Sequence, residues 1–75
     1  MAKTTRFSRR TLGRAIRRER ENLGLSQEDF AERANVHRTY ISSIELGKVS
    51  VGIEVANALA VALDMKLSEL VRGAE

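Results

Sequence analysis

The sequence predicts an all-α fold, a compact domain of five short helices. Proline is absent and aromatic residues make up only 4% of the 75 positions, while Ala, Leu, Arg and Glu, all good helix formers, are plentiful. Apolar residues recur at helical rather than strand spacing. The gaps between periodic segments are short and hold Gly, Asn and Ser, the residues that stop and start helices.

The elements follow in chain order. Residues 1–9 are polar and basic with no apolar period, which predicts a flexible arm with Phe7 available to anchor it. The domain itself is expected over residues 10–72. Its first helix is predicted from residue 10 or 11 to residue 23, with Leu12, Ala15, Ile16 and Leu23 on one face, arginines elsewhere, and Gly24 as the C-terminal cap. Ser26 suits the N-cap of a second helix over residues 27–34, because Asp29 follows three positions later and Leu25 can staple onto Phe30.

Only Asn35 and Val36 are then left for a corner, and Asn is, after Gly, the residue that best tolerates a left-handed backbone. A third helix, over residues 37–46, gathers Val36, Tyr40, Ile41 and Ile44 within one arc at about 100° per residue. Its opposite arc holds Arg38, Thr39, Ser42 and Ser43. Solvent-facing helical positions usually favour Glu, Lys and Gln, so a face of Ser and Thr opposes local propensity and points to a functional demand. Gly47 ends this helix and residues 48–51 form a loop.

A fourth helix is predicted over residues 53–63, with Leu59 and Leu63 inward. Its Ala56, Ala58, Ala60 and Ala62 let other helices or a second subunit approach closely. A fifth is expected over residues 67–71, with residues 73–75 fraying. No internal repeat is present.

Composition narrows the function classes. A single small core is expected, with little surplus stability, so oligomerisation is a natural supplement. With no cysteine and one histidine there is no disulfide framework and no zinc-ligand cluster, and no metal or cofactor is expected. Ser26 has no base with an orienting partner around it, and capping accounts for it, so no catalytic residue and no enzyme activity are expected. No run approaches the roughly 18 apolar residues of a membrane span, and the first residues lack a signal-peptide core, which makes a cytoplasmic protein the expectation.

Charge is unevenly placed. Residues 1–24 hold eight Lys and Arg against two Glu, a balance of +6, and residues 25–75 hold five against eight acids, −3, which together make the net +3. The basic end calls for a polyanion, although a basic amphipathic helix also suits a membrane surface or a helix-binding partner. A membrane role would require the large apolar groups Leu12, Ile16 and Leu23, which the core needs.

Two helices joined by a short corner, the second apolar inside and hydroxyl-rich outside, are the parts of a helix-turn-helix. Residues 23–48, from Leu-Gly-Leu-Ser-Gln-Glu-Asp-Phe-Ala-Glu-Arg-Ala through Asn-Val-His-Arg-Thr-Tyr-Ile-Ser-Ser-Ile-Glu-Leu-Gly-Lys, resemble the signature of the Cro and phage-repressor family, often called Xre. Residues 62–70, Ala-Leu-Asp-Met-Lys-Leu-Ser-Glu-Leu, resemble its fifth-helix entry, so the likeness spans residues 12–71.

The resemblance implies a five-helix lambda-repressor-like domain with the third helix in the major groove and the second across the phosphate backbone. It implies Arg38, Thr39, Ser42 and Ser43 as base-reading residues. The chemistry agrees: Arg grips guanine O6 and N7 bidentately, and hydroxyls donate or accept at several base edges. Gln27 matches a phosphate-binding position, aided by the free N–H groups of its helix, and Lys48 a phosphate-contacting loop cation. Tyr40, with a ring to pack and a hydroxyl to reach phosphate, belongs at the rim. His37 is open between a plain surface or capping role and a DNA contact. Lys3, Arg6, Arg9 and Arg10 are open between a solubilising tail and an arm that follows phosphate or enters a minor groove. Glu45 is expected to pair with Arg20 structurally and orient the third helix.

The sequence departs from the family pattern at His37, where Ser or Asp is common, Asn35 for Gly, Val51 for Pro, and Gly52 for Ser or Thr. The last weakens the start of the fourth helix. The implied function is a sequence-specific, double-stranded DNA-binding transcription regulator of repressor or controller type, acting as a homodimer on a pseudo-palindromic operator, with no small-molecule ligand expected. Within one family this leaves short repressors, restriction-modification controllers and antitoxins, the motif leaning toward the controllers. The alternative is an antitoxin-like or coactivator-like module of the same fold that binds a protein partner.

Overall fold

A computed structural model describes residues 7–75, so Lys3 and Arg6 lie outside the described residues. Five helices follow one another: α1 (Arg9–Asn22), α2 (Gln27–Ala34), α3 (Arg38–Glu45), α4 (Ile53–Ala62) and α5 (Leu67–Gly73), with no strand among the described residues.

α1 begins at Arg9, earlier than expected, because Ser8 and Thr11 cap it reciprocally. Ser8 Oγ accepts from the Thr11 N–H at 3.2 Å and Thr11 Oγ1 accepts from the Ser8 N–H at 2.8 Å. Arg9 and Arg10 therefore stand in the first helical turn rather than in the preceding segment. α2 has the same arrangement, its Ser26 Oγ accepting from Asp29 N–H at 2.9 Å and an Asp29 carboxylate oxygen accepting from Ser26 N–H at 3.4 Å.

Four helices end alike. A left-handed residue (Gly24, Asn35, Gly47 or Asp64) turns the chain, and the next N–H reaches back to a carbonyl in the last turn, as Val36 does to Ala31 O at 2.9 Å and Lys48 to Ser43 O at 2.9 Å. Asn and Asp are the non-glycine residues that adopt this conformation at least cost, which explains their use at two corners.

The core is built from Leu12, Ala15, Ile16, Phe30, Ile41, Ile44, Leu59, Leu63 and Leu70, joined by small Ala residues. Leu25 packs on its edge as the second helix's staple requires. Leu23, expected on the inner face, is exposed at the open C-terminal turn of α1, and of the α4 alanines Ala56, Ala60 and Ala62 are buried within the chain while Ala58 is exposed. The C-terminus also differs from expectation. Gly73 is the last residue of α5 and its carbonyl accepts from Arg18 Nη2 of α1 at 3.2 Å, while Ala74 is buried in the core cluster.

The tightest packing joins α1 to the C-terminal end of α3. A Cβ on residue 13 would come 2.9 Å from the Glu45 carbonyl oxygen and closer still to that of Ile44. Only glycine lets the two backbones meet there. A second close approach sets Gly47 against Arg10, where a Cβ would stand 3.0 Å from the Arg10 Cα.

Candidate nucleic-acid interface

α3 separates its residues by face. Ile41 and Ile44 are fully buried and fasten it to the core, while Arg38 and Thr39 are exposed and Ser42 and Ser43 half-buried beside them. Burial of the apolar arc turns the hydroxyl-rich arc outward, fully at Arg38 and Thr39 and partly at Ser42 and Ser43. Tyr40 is half-buried with its ring against the core cluster, which places it at the boundary between the two faces. His37 occupies the N-cap, exposed and without a side-chain capping bond, so its carbonyl, which accepts from Tyr40 N–H at 3.0 Å, rather than its ring closes the start of α3.

Beyond α3, Lys48 is exposed, and its own N–H is spent on Ser43 O. The docking of Gly47 on Arg10 carries the start of α1 to this loop, so Arg10 and Lys48 flank the same corner although 38 positions apart in sequence. Arg14, one turn further along α1 and also exposed, extends that basic edge. Its i, i+4 spacing from Arg10 is legible in the sequence, but nothing distinguishes it from the other α1 arginines until Gly47 is seen to dock there.

Behind α3 lies a buried ionic network. Arg20 Nε donates to Glu45 Oε2 at 2.7 Å and Arg20 Nη2 to Glu45 Oε1 at 3.1 Å, a bidentate pair whose side chains are only 10% and 3% exposed. Arg20 Nη1 donates to the Leu25 carbonyl at 2.8 Å. The Glu45 hydrogen bond holds the Arg20 pKa above its usual value against the opposing effect of burial, with the Glu45 and Glu21 charges assisting. Glu45 Oε1 also accepts from Gln27 Nε2 at 3.1 Å, a bond no local sequence pattern announces. The structure thus brings Arg20, Glu45 and Gln27 together, and leaves Arg38, Thr39, Ser42 and Ser43 on a separate, outward face. Among the described residues no three His, Cys, Asp or Glu side chains group as a metal site, and no helix is long and apolar enough to cross a membrane.

Two short helices held at a left-handed corner, the second anchored by its apolar face and presenting its polar one, define a helix-turn-helix protein of the DNA-binding class. The chain belongs to the helix-turn-helix family HTH_3, whose model matches residues 16–70, and is a DNA-binding transcription regulator. It is 43% identical over 51 residues to the control protein C.MunI from Mycoplasma sp., covering 68% of this chain and 69% of that one. It is similarly 44% identical over 48 residues to an HTH-type transcriptional regulator of Methanothermobacter thermautotrophicus, covering 64% and 70% of the two chains. Among solved structures, the restriction-modification controller protein C.AhdI from Aeromonas hydrophila superposes with a TM-score of 0.80 at 34% identity, covering 83% of this chain and 94% of that one. A tetramer of the controller protein C.Esp1396I in complex with its natural 35 base-pair operator matches with a TM-score of 0.78 at 26% identity, covering 88% and 92%.

Proposed function

We propose that this chain is a sequence-specific regulator that binds a pseudo-palindromic duplex site as a homodimer, each copy laying α3 in the major groove. The observation that carries the reading is the outward face of α3. Arg38 and Thr39 are exposed with Ser42 and Ser43 beside them, on a helix whose other face is sealed by buried Ile41 and Ile44. Arg38 reads a guanine edge, and the three hydroxyls read neighbouring base edges. Gln27, His37, Tyr40 and Lys48 serve the sugar-phosphate backbone. Arg10, beside the Lys48 loop, joins them from α1, and Arg9 stands next to it. Function is binding alone, without a catalytic step, a cofactor or a small-molecule ligand, in the cytoplasm where the DNA is.

The second copy is placed on α4 and α5. Val51, Ile53, Leu67 and Val71 line an open apolar groove of roughly 360 Å³ with Phe7 and Leu12, and Ile53 is 75% exposed. A second copy as occupant follows from the demand of a symmetric site for a symmetric protein. The likeness to a controller protein that sits on its operator as a tetramer supports it.

The test is selection from a random duplex library, followed by binding of the winning sequence at several salt concentrations. The expected result is a two-fold symmetric motif and an affinity that falls steeply with salt. Weak binding indifferent to sequence would overturn the reading in favour of a protein-partner module.

A further inference from the structure

We infer that Glu45 is a positioning residue for Gln27, presetting a single N–H of its side-chain amide as the phosphate donor at the start of α2. The inference rests on the DNA-binding reading and assigns an atom within it.

Donor and acceptor chemistry carries the argument. A carboxylate only accepts, so the Gln27 amide must turn its nitrogen, not its oxygen, toward Glu45 Oε1, as the 3.1 Å contact has it. Glu45 cannot easily give way, since Oε2 is held by Arg20 Nε and Oε1 is shared with Arg20 Nη2. Arg20 in turn grips the Leu25 carbonyl, two residues before Gln27, so one guanidinium fixes both the carboxylate and the chain entering α2. Nε2 carries two hydrogens and Glu45 takes one. A phosphate is also only an acceptor, so the amide oxygen is useless to it and the second Nε2 hydrogen is what remains. Gln27 is half-buried, which leaves that hydrogen a path outward.

The gain is preorganisation. A free glutamine side chain must be ordered when it binds phosphate, whereas here the ordering is completed on folding. Loss of the Glu45 bond should therefore cost about 2- to 10-fold in affinity, the range expected for immobilising one side chain at an interface. The loss should be equal on every sequence, because phosphate contacts carry no base information.

Two measurements test this. Gln27 is the chain's single glutamine, so its side-chain amide protons are identifiable by NMR in the intact protein. In the free protein one of the two should be protected from exchange with water, and on adding duplex DNA the other should become protected as well. In parallel, Glu45→Gln, Gln27→Met and the double variant are titrated with the selected operator and with a scrambled duplex. Each single variant should weaken both duplexes by the same factor, and the double variant should be no weaker than the worse single one. Free exchange of both protons while the wild type still binds DNA, or losses that multiply in the double variant with collapse of operator preference, would overturn the inference and leave Glu45 a purely structural anchor of α3. A wild type that binds no duplex at all would remove the DNA-binding reading together with it.

Discussion

Arg38 stands at the exposed start of α3, with no ion pair among the described residues that would have to be broken before it reached a base. Arg38→Ala should weaken binding to the selected site by about 1–3 kcal/mol and relax preference at one base position, read by competition against single-base variants of the site. An equal loss on all sequences would make it a phosphate contact. Gly13 has an opposite kind of importance, since its lack of a side chain is what the fold uses. Gly13→Ala should lower stability by at least about 2 kcal/mol in urea unfolding, because the methyl would meet backbone carbonyls that have no rotamer to escape into. Arg20 bears on pH. Its pKa is raised in the folded state, so its stabilisation is fully present below the ordinary arginine value and is lost only as pH climbs through the still higher folded one. Arg20 should therefore impart no change in the unfolding midpoint between about pH 5 and about pH 9. A midpoint difference between wild type and Arg20→Lys, which keeps a cation beside the buried Glu45, that varied across this window would contradict the assignment. At this scale the polar face of α3 was legible from spacing alone, and the Arg20–Glu45 pair from family resemblance. The Gln27–Glu45 bond was not, because 18 positions separate residues that meet only through the packing of α2 on α3.

Helices as short as these are marginal by themselves, so their ends matter as much as their faces. α2 and α3 have eight residues each, and α2 is held by a reciprocal Ser26–Asp29 cap while α3 starts at His37 without one. In the proposed interface both starts face the DNA backbone, α2 through the Gln27 side chain beside its capped end and α3 through an end that no side chain caps. The Ser26 cap was legible in the sequence and the one at Ser8 was not, because Ser8 is paired with Thr11 rather than with an acid and lies at the edge of a basic, aperiodic segment. Ser8→Ala should weaken the first turn of α1 by about 1 kcal/mol, seen as roughly fivefold faster hydrogen exchange at the Thr11 and Leu12 amides. Unchanged exchange at both would mean that packing of Arg10 on Gly47, not capping, starts the helix.

For the molecule as a whole, the core is small and the exposed apolar groove beside α4 and α5 is where a second copy would add buried surface. Ile53→Asp should shift the sedimentation of the protein at tens of micromolar toward the monomer while leaving the helical content of each chain intact, because Ile53 contributes little to the monomer core at 75% exposure. A wild type that is already monomeric there would move the dimer interface elsewhere or make it depend on DNA. What the sequence by itself determined is the number of helices, their order, their corners and which face of α3 is apolar. These follow from local periodicity and end signals, which need no knowledge of neighbours. Only the tertiary structure decided that α1 lies close enough to α3 to require Gly13, that Arg10 stands beside the Lys48 loop, and that Glu45 is shared between Arg20 and Gln27. Such contacts depend on how helices approach one another, an outcome of the packing of the whole core rather than of any segment's own pattern.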